Sequence, residues 1–505
     1  MAMQRSETPT EKPNGPLILA LDVGTSSTRT LLFDAKGTAI SSVHAQQQYK
    51  LNVTSEGEVS VDADELLKVV AQTIDDALEQ AGPLAEQIGA VAIDTFWHAL
   101  LGVDEQGKPL TPLITWEDTR PQLAALALRK ELDEEAVHAR TGARFHASYW
   151  PAKLRWLAQE QPAIFAQVHE WLSFGEYLHR RLLGKSVCSL SMASATGLLN
   201  TRQKQWDEEL LQILKVRPEQ FPALGDMRDG ITGLRDEYAR QWPTLRDVPW
   251  FPALGDGASA CIGSGCASIE NWSMTIGTSS AIRIVVKPEQ VVPPMGLWLY
   301  LIDANRAVLG GALSEGGNLL AWLDSVLKLP ELKDAEPLVA ELAPDEHGLT
   351  ILPFISGERS LGWHAEARMT ISGLRAHTTP AELLRAGMEA LAYQLDGVYT
   401  QLCTTLNIEK GKMQRITASG GALLSSKTLQ QIIADTLGSP IYPSRDQEAS
   451  ARGAALLALE ALGVIKDVAQ VAPNLETPTK PDAEKQATYK KAEERQNKLY
   501  QLLLS

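Results

Sequence analysis

The chain is poor in cysteine, with four in 505 residues: Cys188, Cys261, Cys266 and Cys403. No two form a Cys-x-x-Cys pair, and Cys261 and Cys266 have no histidines at zinc-site spacing. A structural zinc module is therefore excluded, and buried thiols in a reducing compartment are expected. Long apolar runs are missing too. Nothing approaches the roughly 18 consecutive apolar residues of a membrane-spanning helix. The opening stretch MAMQRSETPTEKPNGP has no apolar core of a secretory signal. No membrane partner is expected, and the cytoplasm is the expected location. Basic charge is also short. Lys and Arg number 47 against 62 Asp and Glu, a formal net charge of −15. That balance argues against a nucleic-acid partner, although a local basic pocket for phosphates stays open.

The remaining composition is that of a globular protein, 44% hydrophobic and 22% charged. At roughly 150 residues per domain the length fits about three domains, or equally two large lobes. Residues 1–15 read as a disordered tail. Residues 17–21 are a short apolar run typical of a buried strand, ending in Asp22-Val23-Gly24-Thr25-Ser26-Ser27. A second strand over 28–33, the turn Asp34-Ala35-Lys36-Gly37 and a third strand from about residue 38 make an antiparallel meander. A helix is predicted over 61–81, a strand over 88–93, and a hairpin about Asp104-Glu105-Gln106-Gly107. Helix is predicted over most of 122–183, and 192–199 reads as strand-like or irregular.

Near residue 250 the character repeats. Gly-Thr-Ser-Ser occurs at 24–27 and again at 277–280, each time joining two apolar runs. An echo at about half the chain length points to two related α/β domains, with chance as the alternative for so short a match. The second half continues with strands near 298–302, 308–311 and 351–355, and helices over 314–327 and 380–402. A strand over 415–418 runs into Ser419-Gly420-Gly421-Ala422, and an Ala-rich helix covers 450–462.

Several of these points suit chemistry. A turn with glycine lets the backbone approach a ligand, and its N–H groups and hydroxyls hold phosphate oxygens. Asp22, presented by an apolar strand, suits a Mg²⁺ ion that keeps most of its waters. The Gly420-Gly421 pair sits at a strand-to-helix junction, where exposed backbone meets phosphate or a flat ring. Asp256, between Gly255 and Gly257, suits a base that accepts a hydroxyl proton. Trp97-His98, with Trp116-Glu117-Asp118-Thr119-Arg120 downstream, offers aromatic faces and polar groups to a polyhydroxylated ligand. Taken singly, each is equally an ordinary turn, cap or ion pair.

Taken together, in order and spacing, the motifs resemble the FGGY carbohydrate kinases of the actin-like ATPase superfamily. DVGTSSTR (22–29) and TIGTSSAIR (275–283) look like the family's two phosphate motifs. GDGAS (255–259) looks like its base motif and ITASGGALLSS (416–426) its adenosine motif. EASARGAALLA (448–458) looks like its C-terminal connecting helix. SMASATGLLNTRQKQWD (191–207) and GERSLGWHAEARMTISGL (357–374) are also similar to it. The resemblance implies two RNase H-like lobes of mixed sheet flanked by helices, over 16–262 and 263–505, with ATP in the cleft.

It also implies roles. Gly24, Thr25, Ser26, Ser27 and Arg29 would meet the nucleotide from one turn, and Gly277, Thr278 and Ser279 from the other. Gly317, Gly420, Gly421 and Ser425 would line the rest of the nucleotide site. Asp22 would hold Mg²⁺ and Asp256 would be the general base. Trp97, His98, Asp256 and Gly257 would contact the sugar. HALLGVDEQGKPLTPLITWEDTR (98–120) looks most like gluconate kinases, with a xylulokinase-like enzyme as the near alternative. An actin-like ATPase and a sugar sensor without kinase activity are alternatives of another class. A homodimer is left open. Three residues depart from the family pattern: Trp97 stands where Met is common, Gly257 where Asn or Gln often sits, and Trp150 where a small residue or Pro precedes Lys153. Each is expected to bear on substrate shape or hydrogen bonding.

Overall fold

The computed structural model describes residues 15–329, 332–412 and 414–504. The tail expected over 1–15 lies outside these residues, Gly15 excepted. The first lobe is built on β1 (Leu17–Val23), β2 (Ser27–Phe33), β3 (Ala39–Gln48), β4 (Ile88–Thr95) and β5 (Leu254–Gly255). Their spatial order is β3-β2-β1-β4-β5, antiparallel from β3 to β1 and parallel from β1 to β5. All seven residues of β1 are buried. Such an unbroken apolar run belongs to a strand covered on both faces.

The second lobe repeats this plan. Its sheet contains β6 (Asn271–Ile276), β7 (Ser280–Val286), β8 (Trp298–Leu301), β9 (Ala307–Leu313), β10 (Arg415–Ser419) and β11 (Ile441–Pro443). The order is β8-β9-β7-β6-β10-β11, with β6, β7, β9 and β8 antiparallel in succession and β10 and β11 parallel to β6. Apart from the added edge strand β8, the arrangement is that of the first sheet. The two Gly-Thr-Ser-Ser turns join β1 to β2 and β6 to β7, so the sequence echo corresponds to a duplicated topology.

Helices α1 (Ala63–Ala81), α2 (Trp150–Glu160), α3 (Asp256–Gly263), α4 (Gly317–Val326), α5 (Pro380–Thr405) and α6 (Ala449–Ala461) position the site. Their starts follow capping chemistry. The Asp62 carboxylate accepts from the backbone N–H groups of Asp64 and Glu65 to open α1. Thr379 and Glu382 form a reciprocal capping box around Pro380 at the head of α5. Helix α1 packs on β2 and β3, and α6, although late in the sequence, packs on β1, β4 and α3.

Three expectations are refined. Residues 192–199, read as strand-like or irregular, begin inside a short helix, Leu190–Ser194, which Ser189 caps by accepting from Met192 N–H; 195–198 are irregular, and a two-residue strand, Leu199–Asn200, follows. The turn at 104–107 forms, with Gly107 N–H donating to Asp104 O at 2.9 Å. Its arms meet only through isolated antiparallel bridges, Val103 with Pro109 and Leu100 with Ile114, and the strand Leu101–Val103 forms its ladder with Glu170–Leu172. The strand expected over 351–355 is Thr350–Leu352 and stops at Pro353, which has no N–H to donate.

Candidate active site at the strand ends

Two aspartates end neighbouring strands of the first lobe. Asp22 on β1 stands in register with Asp94 on β4, and Leu254 on β5 pairs with Asp94 on the other side. Asp256 follows two residues later, at the head of α3. Three carboxylates thus converge at the C-terminal ends of the parallel strands β1, β4 and β5. Asp22 is buried and accepts from Arg29 Nη1 at 3.2 Å. Burial pushes its carboxyl up, and the Arg29 guanidinium opposes that. Asp94 is fully buried, and its carboxyl lies within hydrogen-bond reach of the Asp22 carboxyl, with no N–H or hydroxyl donor to either of its oxygens. Burial first, then the charges of Asp22 and Asp256, push it well above the usual carboxylate range. Asp256 is pushed up to about 6 by burial, against the pull of the Arg283 guanidinium and of its bond from Gly257 N–H. That bond is 2.7 Å to Oδ1.

Asp94 was not among the residues read from the sequence. Its only signal was an acidic residue directly after the apolar run 88–93. Its two orphaned oxygens beside Asp22 fit a hard cation with oxygen ligands, because such an ion would supply the missing partner.

The two turns face one cavity of about 950 Å³, lined by Thr25 from the first and by Thr278 and Ser279 from the second. In each turn the glycine N–H closes the bend, Gly24 to Ser27 O and Gly277 to Ser279 O, both at 3.0 Å. Only Thr25 of the first turn lines this cavity. Ser26, Ser27 and Arg29 line a separate hollow beside Gln46 and Tyr49. Ser27 is buried, and its Oγ accepts from Gln46 Nε2 at 3.2 Å.

The remaining glycines divide into two kinds. Gly317 N–H donates to Gly277 O at 2.7 Å, and a Cβ on Gly317 would lie 2.7 Å from that oxygen. Gly420 has φ 91°, and its Cβ would lie 2.4 Å from Ile276 O. Both hold the second turn by backbone approach that a side chain would prevent. A Cβ on Gly421 would meet nothing within 4 Å. Gly421 and Ser425 are exposed, and Ser425 Oγ donates to Ala422 O at 3.3 Å.

Trp97 and His98 are buried. Trp97 lies against the backbone around Asp256: a Cβ on Gly255 would be 1.7 Å from its Nε1, and one on Gly257 2.5 Å from its ring. Trp97 and Tyr300 meet edge to face at 5.0 Å, as do His98 and Tyr149 at 4.9 Å. Tyr149 and Tyr300 share a hydroxyl hydrogen bond. Because Tyr300 comes from β8, both lobes build this aromatic wall. His98 has φ 68°, and its Nδ1 donates to Ala195 O at 2.5 Å. Burial holds the imidazole neutral, which leaves Nε2 as an acceptor for a hydroxyl.

Trp150 is buried beneath the backbone that carries His98. Its Nε1 donates to Ala99 O at 3.0 Å, and its ring stacks on Phe221. One helical turn on, Lys153 Nζ donates to the carbonyls of His98, Ile114 and Thr115, with its own value lowered to about 7 by burial. Both residues fix the backbone that carries His98. Three further residues were given no role from the sequence: Tyr300, Arg283 beside Asp256, and Arg359 in the cavity wall, although Arg283 ends the motif TIGTSSAIR and Arg359 lies in GERSLGWHAEARMTISGL.

Comparison with known proteins fits this geometry. Residues 17–263 match the N-terminal domain, and 272–462 the C-terminal domain, of the FGGY family of carbohydrate kinases. A gluconokinase of Bacillus subtilis (strain 168) is 27% identical over 459 residues, 89% of this chain and 88% of that protein. A glycerol kinase of Acidovorax ebreus (strain TPSY) is 30% identical over 464 residues, 88% of this chain and 91% of that protein. The crystal structure of a ligand-bound xylulose kinase from Lactobacillus acidophilus superposes with TM-score 0.89 at 28% identity, covering 97% of this chain and 99% of that one. With both halves matched in order and the duplicated sheets facing one cleft, the chain belongs to the FGGY family of carbohydrate kinases.

Proposed function

We propose that this carbohydrate kinase transfers a phosphoryl group from ATP to a terminal hydroxyl of an open-chain sugar or sugar acid, with gluconate the first candidate. The observation that carries the reading is the position of Asp256. Its carboxyl has a raised affinity for protons and stands at a strand end beside Asp22 and Asp94, between two glycines that pack against the Trp97 that shapes the acceptor side. Asp256 accepts the hydroxyl proton as the oxygen attacks phosphorus. Thr25 and Thr278 steady the phosphates from opposite walls of the cavity, and Gly421 and Ser425 leave open surface for the adenosine. Asp22 and Asp94 would hold a Mg²⁺ ion, which offsets phosphate charge. Neutral His98 accepts a sugar hydroxyl at Nε2. Closure of the lobes about the cleft supplies the alignment on which such transfers mostly depend.

Gluconate is favoured by similarity to the Bacillus gluconokinase. A pentulose such as xylulose is the second reading, favoured by the close superposition on the xylulose kinase. ADP release measured against gluconate, xylulose, ribulose and glycerol decides between them. Turnover with gluconate at least tenfold more efficient than with the others is the expected result. Sugar-independent ATP hydrolysis alone would refute the kinase reading.

A further inference from the structure

Arg359 is a cation without an anion. It lines the cavity that also holds Thr25 and Thr278, and its Nε is buried with no hydrogen-bond partner. Among the described residues no ion pair or side-chain hydrogen bond engages its guanidinium, which rests only over the Trp116 ring, 5.5 Å from the centroid. The carboxylates around it are committed elsewhere or exposed. Asp118 is held by Arg120 at 2.6 Å, and Glu358 accepts from Tyr500 at 2.8 Å. Glu117 and Glu366 are exposed. Arg368, the other arginine of the lining, is exposed and donates to the carbonyls of Ala365 and Ala367.

Withdrawing a guanidinium nitrogen from water with no partner is unfavourable, so the missing anion is expected from a ligand. Two anions can enter the cleft: the nucleotide phosphates and a charged acceptor. The surroundings of Arg359 favour the acceptor. It shares the cavity wall with His146, whose ring meets Tyr149 of the aromatic acceptor wall edge to face at 6.4 Å, whereas the cation acting on Asp256 is Arg283. We infer that Arg359 is the specificity-determining residue for a sugar-acid acceptor, pairing with its carboxylate while the far hydroxyl lies at Asp256. The planar guanidinium suits a two-point grip on a carboxylate. This inference rests on the proposed transfer to an open-chain sugar acid.

The test compares gluconate with sorbitol, its neutral counterpart of equal length, in the full-length enzyme. The expected result is a ratio of gluconate to sorbitol kcat/KM that falls at least 100-fold in Arg359→Met, mainly through the KM for gluconate, and is partly restored in Arg359→Lys. Thermal melting of each variant checks that it folds, and the lysine variant carries the test if the methionine variant does not. A wild-type enzyme that uses gluconate while both variants keep the ratio within threefold overturns the role of Arg359 and leaves the gluconate reading standing. A rise in the KM for ATP rather than gluconate assigns Arg359 to the nucleotide and also overturns it. A wild-type enzyme that uses xylulose and no sugar acid overturns the acceptor reading itself.

Discussion

Gly263 and Gly453 meet backbone to backbone where α3 crosses α6. A Cβ on Gly263 would lie 1.8 Å from Ala449 O, and one on Gly453 1.8 Å from Ser259 O. The two helices are counterparts, since α3 follows the last strand of the first sheet and α6 the last strand of the second. The duplicated halves are therefore joined through equivalent helices, at the spot where neither can carry a side chain. Because α3 begins with Asp256, the crossing also sets where the carboxylate stands.

Gly263→Ala or Gly453→Ala should force the helices apart. Overpacking of this kind costs roughly 1–3 kcal/mol. Each variant is expected to melt several degrees lower and to lose kcat more than ATP affinity, as seen by calorimetry and steady-state kinetics. An unchanged melting temperature with full activity would show that the crossing is looser than these distances.

Asp256→Asn removes the proton acceptor but keeps its size. A fall in kcat of about 10²–10⁴-fold is expected, with ATP binding within threefold of wild type by calorimetric titration. In the wild type the carboxylate is the active form. With its value near 6, kcat/KM should drop tenfold per pH unit below about 6 and level off above it. A metal ion bound beside it lowers that limb, because added positive charge favours the carboxylate. A pH profile flat from 4.5 to 8 would remove Asp256 from the role.

The paired sheets and both turns were legible because they rest on local signals: unbroken apolar runs and Gly-Thr-Ser-Ser bends. What remained hidden is non-local. Asp94 becomes notable only once register sets it between Asp22 and Leu254. Tyr300 and Arg283 reach the first lobe's residues from strands of the second, a proximity no spacing encodes. Ser27 looked equivalent to Ser26, yet strand pairing turned it inward to Gln46. Trp150 looked like a substrate residue because a small residue or Pro was expected at its place ahead of Lys153. The helix instead aims both at the backbone beneath His98.

Asp94→Asn should stabilise the free protein. The folded state raises the affinity of Asp94 for its proton, so the stability it contributes is full below about pH 4, its unfolded value, and is lost as pH rises. The asparagine lacks this loss. Its melting temperature should match wild type near pH 4 and exceed it by a few degrees at pH 8, while the Mg²⁺ concentration needed for half-maximal activity rises severalfold. A lower melting temperature at pH 8 would show that Asp94 is stabilised by its neighbours rather than strained by them.

Trp97 and Gly257 form a single packing unit. The Trp97 ring occupies the space that any side chain at 257 would need, with the Cβ position only 2.5 Å from it. The two departures expected from the resemblance, a tryptophan in place of Met and a glycine in place of Asn or Gln, would then be one exchange of volume across the proposed acceptor site. Gly257→Asn alone should clash with a ring wedged against Tyr300 and Trp298, lowering stability by roughly 1–3 kcal/mol and the acceptor kcat/KM at least tenfold. Trp97→Met alone should leave a partly filled gap, softened by the flexibility of methionine. The double variant should recover most of the lost stability and activity, because each change supplies the room or the bulk that the other lacks. Melting temperatures and kcat/KM across the four proteins give the coupling directly. Strictly additive losses would mean that the ring and the glycine are independent.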